Sequence, residues 1–339
     1  MKNHTIRDVA REAGVSVSTA SRVLNNRPDV AKETRERVQA AMERLVYVAN
    51  PSARRLAGAK AHAVGLLLPG YGSGYTMETM RGVAQVLREA SYDLIAYFAE
   101  WDRSGQERAA VASLGRGAVD GLVIAIPHSS DEELLELARH GPPLVLVDHH
   151  SVADQVPAVA CTNTAGALEG TRYLFSLGHR RIGLITGELH IPAGADRLAG
   201  YRQAYHDAGL QVDEELIYRG SFRRAAGYEG TLALMALPKP PTAIFASSDA
   251  AAFSAMDALH VLNLRIPQDV SLLGFDDIPA AAESHPPLTT IHQPFLKIGR
   301  AAAEMLLRVI EGKPMDGLYQ ELPTRLMVRG TCARADLAT

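Results

Sequence analysis

Cysteine is scarce in this chain. Cys161 and Cys332 are the only two among 339 residues, and two distant thiols make neither a disulfide framework nor a metal cage. No apolar run reaches the roughly 18 residues that a membrane-spanning helix needs. The N-terminal stretch MKNHTIRDVA lacks the apolar segment of a secretory signal. The expectation is a cytoplasmic protein with no membrane attachment, metal or cofactor. Net charge is also small, at −3, but that average hides an asymmetry. Residues 1–60 hold 12 Lys and Arg against 6 Asp and Glu, whereas the remainder holds 23 against 32. A basic head on an acidic body suits a head that meets a polyanion.

What is present is length for about two or three domains and a 47% hydrophobic composition that can fill their cores. In the head, Thr5 reads as a helix cap with Asp8 at the third helical position. Ile6, Val9, Ala10 and Ala13 then recur at helical spacing. Gly14 stops that helix, and Ser16 caps a second one over residues 17–24. Two short helices joined by Ala-Gly-Val-Ser form the helix-turn-helix pattern. A third helix, expected over 32–45, places Val38, Ala41, Met42 and Leu45 on one stripe. The early exposed positions of the second helix are Val17 and Ser18, followed by Thr19, Ser21 and Arg22. In this motif such residues reach base edges in the major groove. Arg22 has the two donors that guanine O6 and N7 accept, Ser18 bonds either way, and Val17 suits a thymine methyl. Residues 50–58, NPSARRLAG, open on a capping Asn50 and on Pro51, which favours a first helical turn. The segment is about two turns long, too short to hold a helix alone in water.

These segments resemble the LacI/GalR family of bacterial regulators. The resemblance rests on TIRDVAREAGVSVSTASRVLN (5–25), ETRERVQAAMERLVY (33–47) and NPSARRLAG (50–58). It continues through LGHRRIGLITG (177–187), DRLAGYRQA (196–204), SLLGFDDI (271–278) and PPLTTIHQP (286–294). It implies an all-α helix-turn-helix headpiece joined by a hinge helix to an α/β two-lobed core like periplasmic binding proteins, with parallel sheets flanked by helices. It also implies a homodimer on a palindromic double-stranded DNA operator, a small-molecule effector in the core cleft, and no enzyme activity. Thr5, Ser16, Val17, Ser18, Thr19, Ser21, Arg22 and Asn25 are the expected headpiece contacts. Asn50, Ala53, Arg54 and Leu56 are those of the hinge, with Leu56 the wedge that partly unstacks a central minor-groove step. Ala31 stands before the third helix where the family usually has a capping serine. The chain stops soon after the core without a leucine heptad tail, so a dimer is expected rather than a tail-built tetramer.

The core alternates strands and helices. Apolar runs at 63–68, 94–98, 121–126 and 144–147 read as buried parallel strands, with helices at 75–90, 106–114 and 131–140. A second series places strands near 181–186, 243–246 and 271–275, and helices near 165–177, 197–208, 226–235 and 249–260. A last helix at 294–310 returns to the first lobe. The expected domains are 1–49 (headpiece), 50–61 (hinge and linker), 62–162 with 292–328 (first lobe), 163–291 (second lobe) and 329–339 (tail).

Ligands in such sheets sit beyond the carboxyl ends of the strands. Tyr71, Tyr75 and Asp148 follow first-lobe strands. Arg197, expected to open a second-lobe helix, together with Phe222, Ser248 and Asp276, falls on family positions that line the effector cleft; Gln293 joins them. Arg197 and Asp276 suit vicinal hydroxyls, and Phe222 the apolar face of a sugar ring. Three departures from the family bear on the ligand: PGYGSGYTME after the first strand, Ser248 where many relatives have Asn, and Cys161-Thr162-Asn163 in place of an Asp-Asn pair. A carbohydrate or glycoside is the expected effector, and a purine-like corepressor the alternative. Gly70-x-Gly72-x-Gly74 lacks the remainder of a phosphate-binding fingerprint and reads as a flexible cleft rim. His149-His150 reads as a solvated turn rather than a metal site.

Overall fold

The computed structural model describes residues 4–24, 27, 29–47, 61–70, 74–99, 106–114 and 117–335. Three helices build the head: α1 (Ile6–Ala13), α2 (Val17–Leu24) and α3 (Lys32–Arg44). Val9, Ala10, Ala13, Ala20, Val23, Val38 and Ala41 form its core, with Met42 and Leu45 packed against it. The first cap works in the reverse sense to the simple expectation. The Thr5 N–H and hydroxyl both donate to the Asp8 carboxylate, each at 2.8 Å. Gly14 adopts φ 63°, the left-handed geometry that a Cβ disfavours. Arg37 Nη2 donates to the Ala13 carbonyl at 2.9 Å, placing a cation on the negative end of α1. α3 starts after Ala31 without a side-chain cap.

The first lobe contains β1 (Ala63–Pro69), α4 (Gly74–Glu89), β2 (Asp93–Ala99), α5 (Gln106–Leu114), β3 (Gly121–Ala125), α6 (Asp131–His140), β4 (Leu144–Val147) and β5 (Ala158–Cys161). The second contains α7 (Asn163–Ser176), β6 (Ile182–Ile185), α8 (Pro192–Asp207), β7 (Ile217–Tyr218), α9 (Arg224–Met235), β8 (Ala243–Ala246), α10 (Asp249–Val261), β9 (Ser271–Asp276), α11 (Pro279–Glu283) and β10 (Thr289–His292). The chain then returns to the first lobe for α12 (Phe295–Glu311) and β11 (Tyr319–Leu322), and ends with β12 (Arg325–Met327). One six-stranded sheet runs β11-β5-β4-β3-β1-β2 and the other β12-β10-β9-β8-β6-β7. Only the β10–β12 pair is antiparallel among the described pairings. β1, β3, β4, β5, β6 and β8 are buried throughout, which is why they read as unbroken apolar runs. Among the described residues no helix is long and apolar enough to cross a membrane.

Several expectations need correction. β2 is an edge strand rather than a buried one, and Ile95 and Tyr97 on it are each 36% exposed. The first-lobe segment expected at 292–328 ends sooner. Arg325–Met327 pairs with β10 of the second sheet, and the following residues stay there, with Leu272 N–H donating to the Thr331 carbonyl at 2.8 Å. Crossing thus occurs three times, after Cys161, after His292 and after Leu322. Arg197 does not open its helix: α8 starts at Pro192, whose fixed φ suits a first turn, and Arg197 lies in the second turn. Gly74 is no loose rim residue. It begins α4 against the second lobe, where an added Cβ would lie 2.6 Å from Ile278 Cβ.

α4 and α12 pack at backbone contact. A Cβ on Gly82 would stand 2.2 Å from the Leu296 carbonyl oxygen, and one on Gly299 2.1 Å from that of Thr79. Neither obstacle is a movable side chain. Gly299→Ala therefore should destabilise the protein by about 1–3 kcal/mol through overpacking. Denaturant unfolding measures this; an unchanged midpoint would refute the close packing of these helices.

Candidate functional site

Two regions gather the expected residues. On the head, α2 is fixed from below by Ala20 and Val23 and leaves Val17, Ser18 and Arg22 exposed. Ser16 Oγ accepts from the Thr19 N–H at 3.0 Å and shares a 2.8 Å bond with the Thr19 hydroxyl. Both side chains are thus engaged at the helix start. Arg22 lies 3.6 Å from Asp29, with both side chains more than half exposed. Such a pair contributes little to stability and leaves the guanidinium available to a stronger partner. Ser21 is half-buried, and Thr5 is exposed on its capping bonds. Asn25, Asn50, Ala53, Arg54, Leu56 and Tyr71 lie outside the described residues.

The second region lies between the lobes, where the carboxyl ends of β4, β5, β8, β9 and β10 and the starts of α4, α7 and α8 converge. Arg197 is its centre, at 4% exposure. Its Nε donates to Asn163 Oδ1 at 2.9 Å, and Nη1 donates to the Ser247 carbonyl. The guanidinium sits 3.8 Å from the ring centre of Phe275 and 5.1 Å from that of Phe222, a cation set against two aromatic rings. Nη1 is 3.7 Å from Asp276 Oδ1. Gln293 Nε2 donates to that same oxygen at 2.6 Å, while the Cys161 thiol donates to Gln293 Oε1 at 2.9 Å. Phe222 packs against Gly187, where a Cβ would stand 2.2 Å from the ring. Asp148 and Asp276 adopt φ 56° and 130°, so backbone strain collects at the strand ends that face this space.

Of the expected set, Tyr75, Asp148, Arg197, Phe222, Asp276 and Gln293 come together. Ser248 is engaged otherwise. Its hydroxyl accepts from the Ala251 N–H and donates to the Phe222 carbonyl, capping α10 and holding the Phe222 turn. Asn163, Ser247 and Phe275 hold Arg197 and were not anticipated. Asn163 is the last residue of the Cys161-Thr162-Asn163 departure, which marks the position without giving its bond to Arg197; Phe275 reads only as core. His149 is also corrected: it is buried, with Nε2 2.9 Å from Asp131 Oδ1 and from Ser151 Oγ. Among the described residues no group of three or more His, Cys, Asp or Glu is placed to hold a metal ion.

On the first-lobe side of the cleft, buried Tyr75 Oη and Asp148 Oδ1 lie near one another without a well-formed hydrogen bond, and Ser247 Oγ has no partner among the described residues. Buried polar groups without well-formed bonds are costly. Burial raises the Asp148 carboxyl above its usual range against the pull of Arg197. It pushes Asp276 up to about 6, with Arg197 and Gln293 opposing.

The head and core together match known proteins. Residues 5–50 match the lacI family of bacterial regulatory proteins, and residues 171–332 a periplasmic binding protein-like domain. Over 331 residues, covering 97% of each chain, the protein is 37% identical to the transcriptional repressor PurR of Klebsiella pneumoniae. The chain belongs to the lacI family. Similar solved structures include a lac repressor dimer bound to operator and the anti-inducer ONPF (29% identity, 98% of this chain and 100% of that one, TM-score 0.84). A CelR–cellobiose complex is 30% identical, covers 97% and 99% of the two chains and has a TM-score of 0.74. This lacI-family regulator therefore pairs a helix-turn-helix DNA-binding head with an effector-type core, as transcriptional repressors do.

The raised Asp276 value fixes a sign. The folded state binds its proton more tightly than the unfolded chain, so this group makes the fold more stable as pH falls through about 6 toward the unfolded carboxylate range. Relative to Asp276→Asn, the wild type should gain stability between pH 7 and pH 5. Parallel denaturant titrations at the two pH values test it; a constant difference would mean that the Asp276 carboxyl is not raised in the folded state.

Proposed function

We propose that this regulator represses transcription by binding a palindromic operator as a homodimer, and that a carbohydrate or glycoside in the inter-lobe cleft controls it. Arg197 carries the effector reading. It is a buried cation set against two aromatic rings and Asp276, with the buried Tyr75 hydroxyl and Asp148 carboxyl across the cleft. Acids, a guanidinium and a half-buried aromatic ring suit a neutral polyol, whose hydroxyls fork onto charged groups while its carbon face stacks. The cellobiose complex of CelR supports this ligand class. The identity to PurR repressors supports a second reading, a purine-like corepressor.

The first lobe comprises 62–162 with α12 and β11, and the second 163–291 with β12 and the segment after it. Exposed apolar side chains on both lobes support the dimer: Met77, Ile95 and Tyr97 on one, Val261 and Leu262 on the other. In the dimer, the recognition helices enter successive major grooves with Val17, Ser18 and Arg22 toward base edges. The 50–58 segment enters the minor groove, where Leu56 wedges a flexible step and Arg54 meets phosphate. A ligand acts by preferring one opening of the lobes, and hence one spacing of the two linkers.

Two experiments test this reading. Arg22→Ala should relax discrimination at one symmetric pair of positions by about 1–3 kcal/mol, read as binding to single-base variants of an operator recovered by selection in vitro. Uniform weakening on every variant would make Arg22 a phosphate contact. A thermal-shift screen of sugars, glycosides and nucleobases should yield a ligand that raises Tm and changes operator affinity. Arg197→Lys, which loses the planar fork, should abolish that shift; a shift unaltered in Arg197→Lys would move the effector site elsewhere.

A further inference from the structure

Outside the ligand cleft a second contact joins the lobes. His150, in the segment after β4, places Nε2 2.9 Å from Asp196 Oδ2 of α8. This His–Asp pair bridges the two lobes directly, and its chain position is informative. His150 lies two residues beyond Asp148, and Asp196 immediately precedes Arg197. The strand end that offers Asp148 to the cleft thus also offers His150 to the seam, and the helix turn that carries Arg197 also carries Asp196. The pair borders a cavity of about 480 Å³ lined by His150, Asp154, Thr164, Asp196, Tyr319 and Glu321.

We propose that His150 and Asp196 form a proton-controlled latch that holds the lobes together when His150 is charged and lets them part when it is neutral.

The electrostatics of the seam give the direction. Around His150 stand Asp196 from α8, Glu321 and Tyr319 from β11, and Asp154 and His149 from its own segment. The Tyr319 ring lies 6.3 Å away, edge to face. A protonated imidazole is compensated by carboxylates from both lobes. Without the proton, Asp196 of the second lobe shares the cavity with Asp154 and Glu321 of the first and lies near Asp148, and like charges push the seam apart. The Asp196 hydrogen bond raises the His150 pKa above its usual value, against burial and with Glu321 assisting. The His150 side chain is 38% exposed and that of Asp196 24%, so protons reach the pair without opening the lobes. In neighbouring His149 burial outweighs the Asp131 bond and lowers the pKa; the latch therefore belongs to His150.

The inference is independent of which effector the cleft takes, so its test uses the full-length protein without ligand. Spin labels at Glu136→Cys on the first lobe and Arg219→Cys on the second, in a Cys332→Ser background, report the inter-lobe distance by pulsed electron resonance. Between pH 5.5 and 8.5 the distance should lengthen or broaden as pH rises. Asp196→Asn and His150→Gln should each remove that dependence while keeping the wild-type circular dichroism spectrum. Two-dimensional NMR of the imidazoles should show His150 titrating at lower pH in Asp196→Asn. An inter-lobe distance independent of pH in the wild type, or a pH dependence that persists in both variants, overturns the latch.

Discussion

The cleft between the lobes is arranged around one buried guanidinium. Arg197 could not be desolvated on its own, and nearly every feature of the cleft compensates it. Asn163 Oδ1 and the Ser247 carbonyl accept its hydrogen bonds, Phe275 and Phe222 lie against the guanidinium, and Asp276 supplies the opposite charge. These partners come from α7, β8 and β9 and from the turn before α9. One side chain thus records whether four separate strand and helix ends are in register. Gln293 extends the same network into the second crossing, and Cys161 ties it to the end of β5 in the first lobe. A ligand that competes for Asp276 or Arg197 disturbs a network that already spans both lobes.

How far the sequence reveals this depends on the kind of signal. The long helices and buried central strands are legible because burial on both faces demands continuous apolar runs and amphipathic periodicity. β5, β7, β10, β11 and β12 are two to four residues long and were not anticipated. Their pairing is set by neighbours distant in the chain rather than by local pattern. β2 reads as buried because its composition is apolar, yet it lies at an edge, and composition does not encode which strand ends a sheet. Arg197, Phe222 and Asp276 follow from the family resemblance, but the Asn163 and Ser247 contacts to Arg197 do not. Asn163 and Ser247 act through one side-chain oxygen and one backbone carbonyl, and a carbonyl has no sequence signature.

The join between linker and core has its own physical form. The Asp120 carboxylate accepts from the Ala61 N–H through Oδ1 and from the His62 N–H through Oδ2, each at 2.7 Å. His62 carries φ 50°, so the chain turns sharply just where it is gripped. Asp120 directly precedes β3, the strand beside β1 in the first sheet. The end of the linker is therefore referenced to the rigid centre of the first lobe, not to a mobile surface loop. In the proposed mechanism, rotation of that lobe reaches the linker through these two charge-assisted hydrogen bonds.

In the proposed mechanism the cleft and the latch act on one coordinate, the opening of the lobes. Linkage then makes their effects reciprocal. A ligand that prefers the closed arrangement raises the proton affinity of His150, because the charged imidazole is compensated only when Asp196 is near. Conversely, a proton on His150 favours any ligand of the closed form by the same factor. The shared chain segments strengthen this argument. Asp148 and His150 are two residues apart, and Asp196 and Arg197 are adjacent, so neither pair can shift without carrying the other. The head need sense only one geometric variable, whichever of the two inputs sets it, and no separate route from proton to DNA is required.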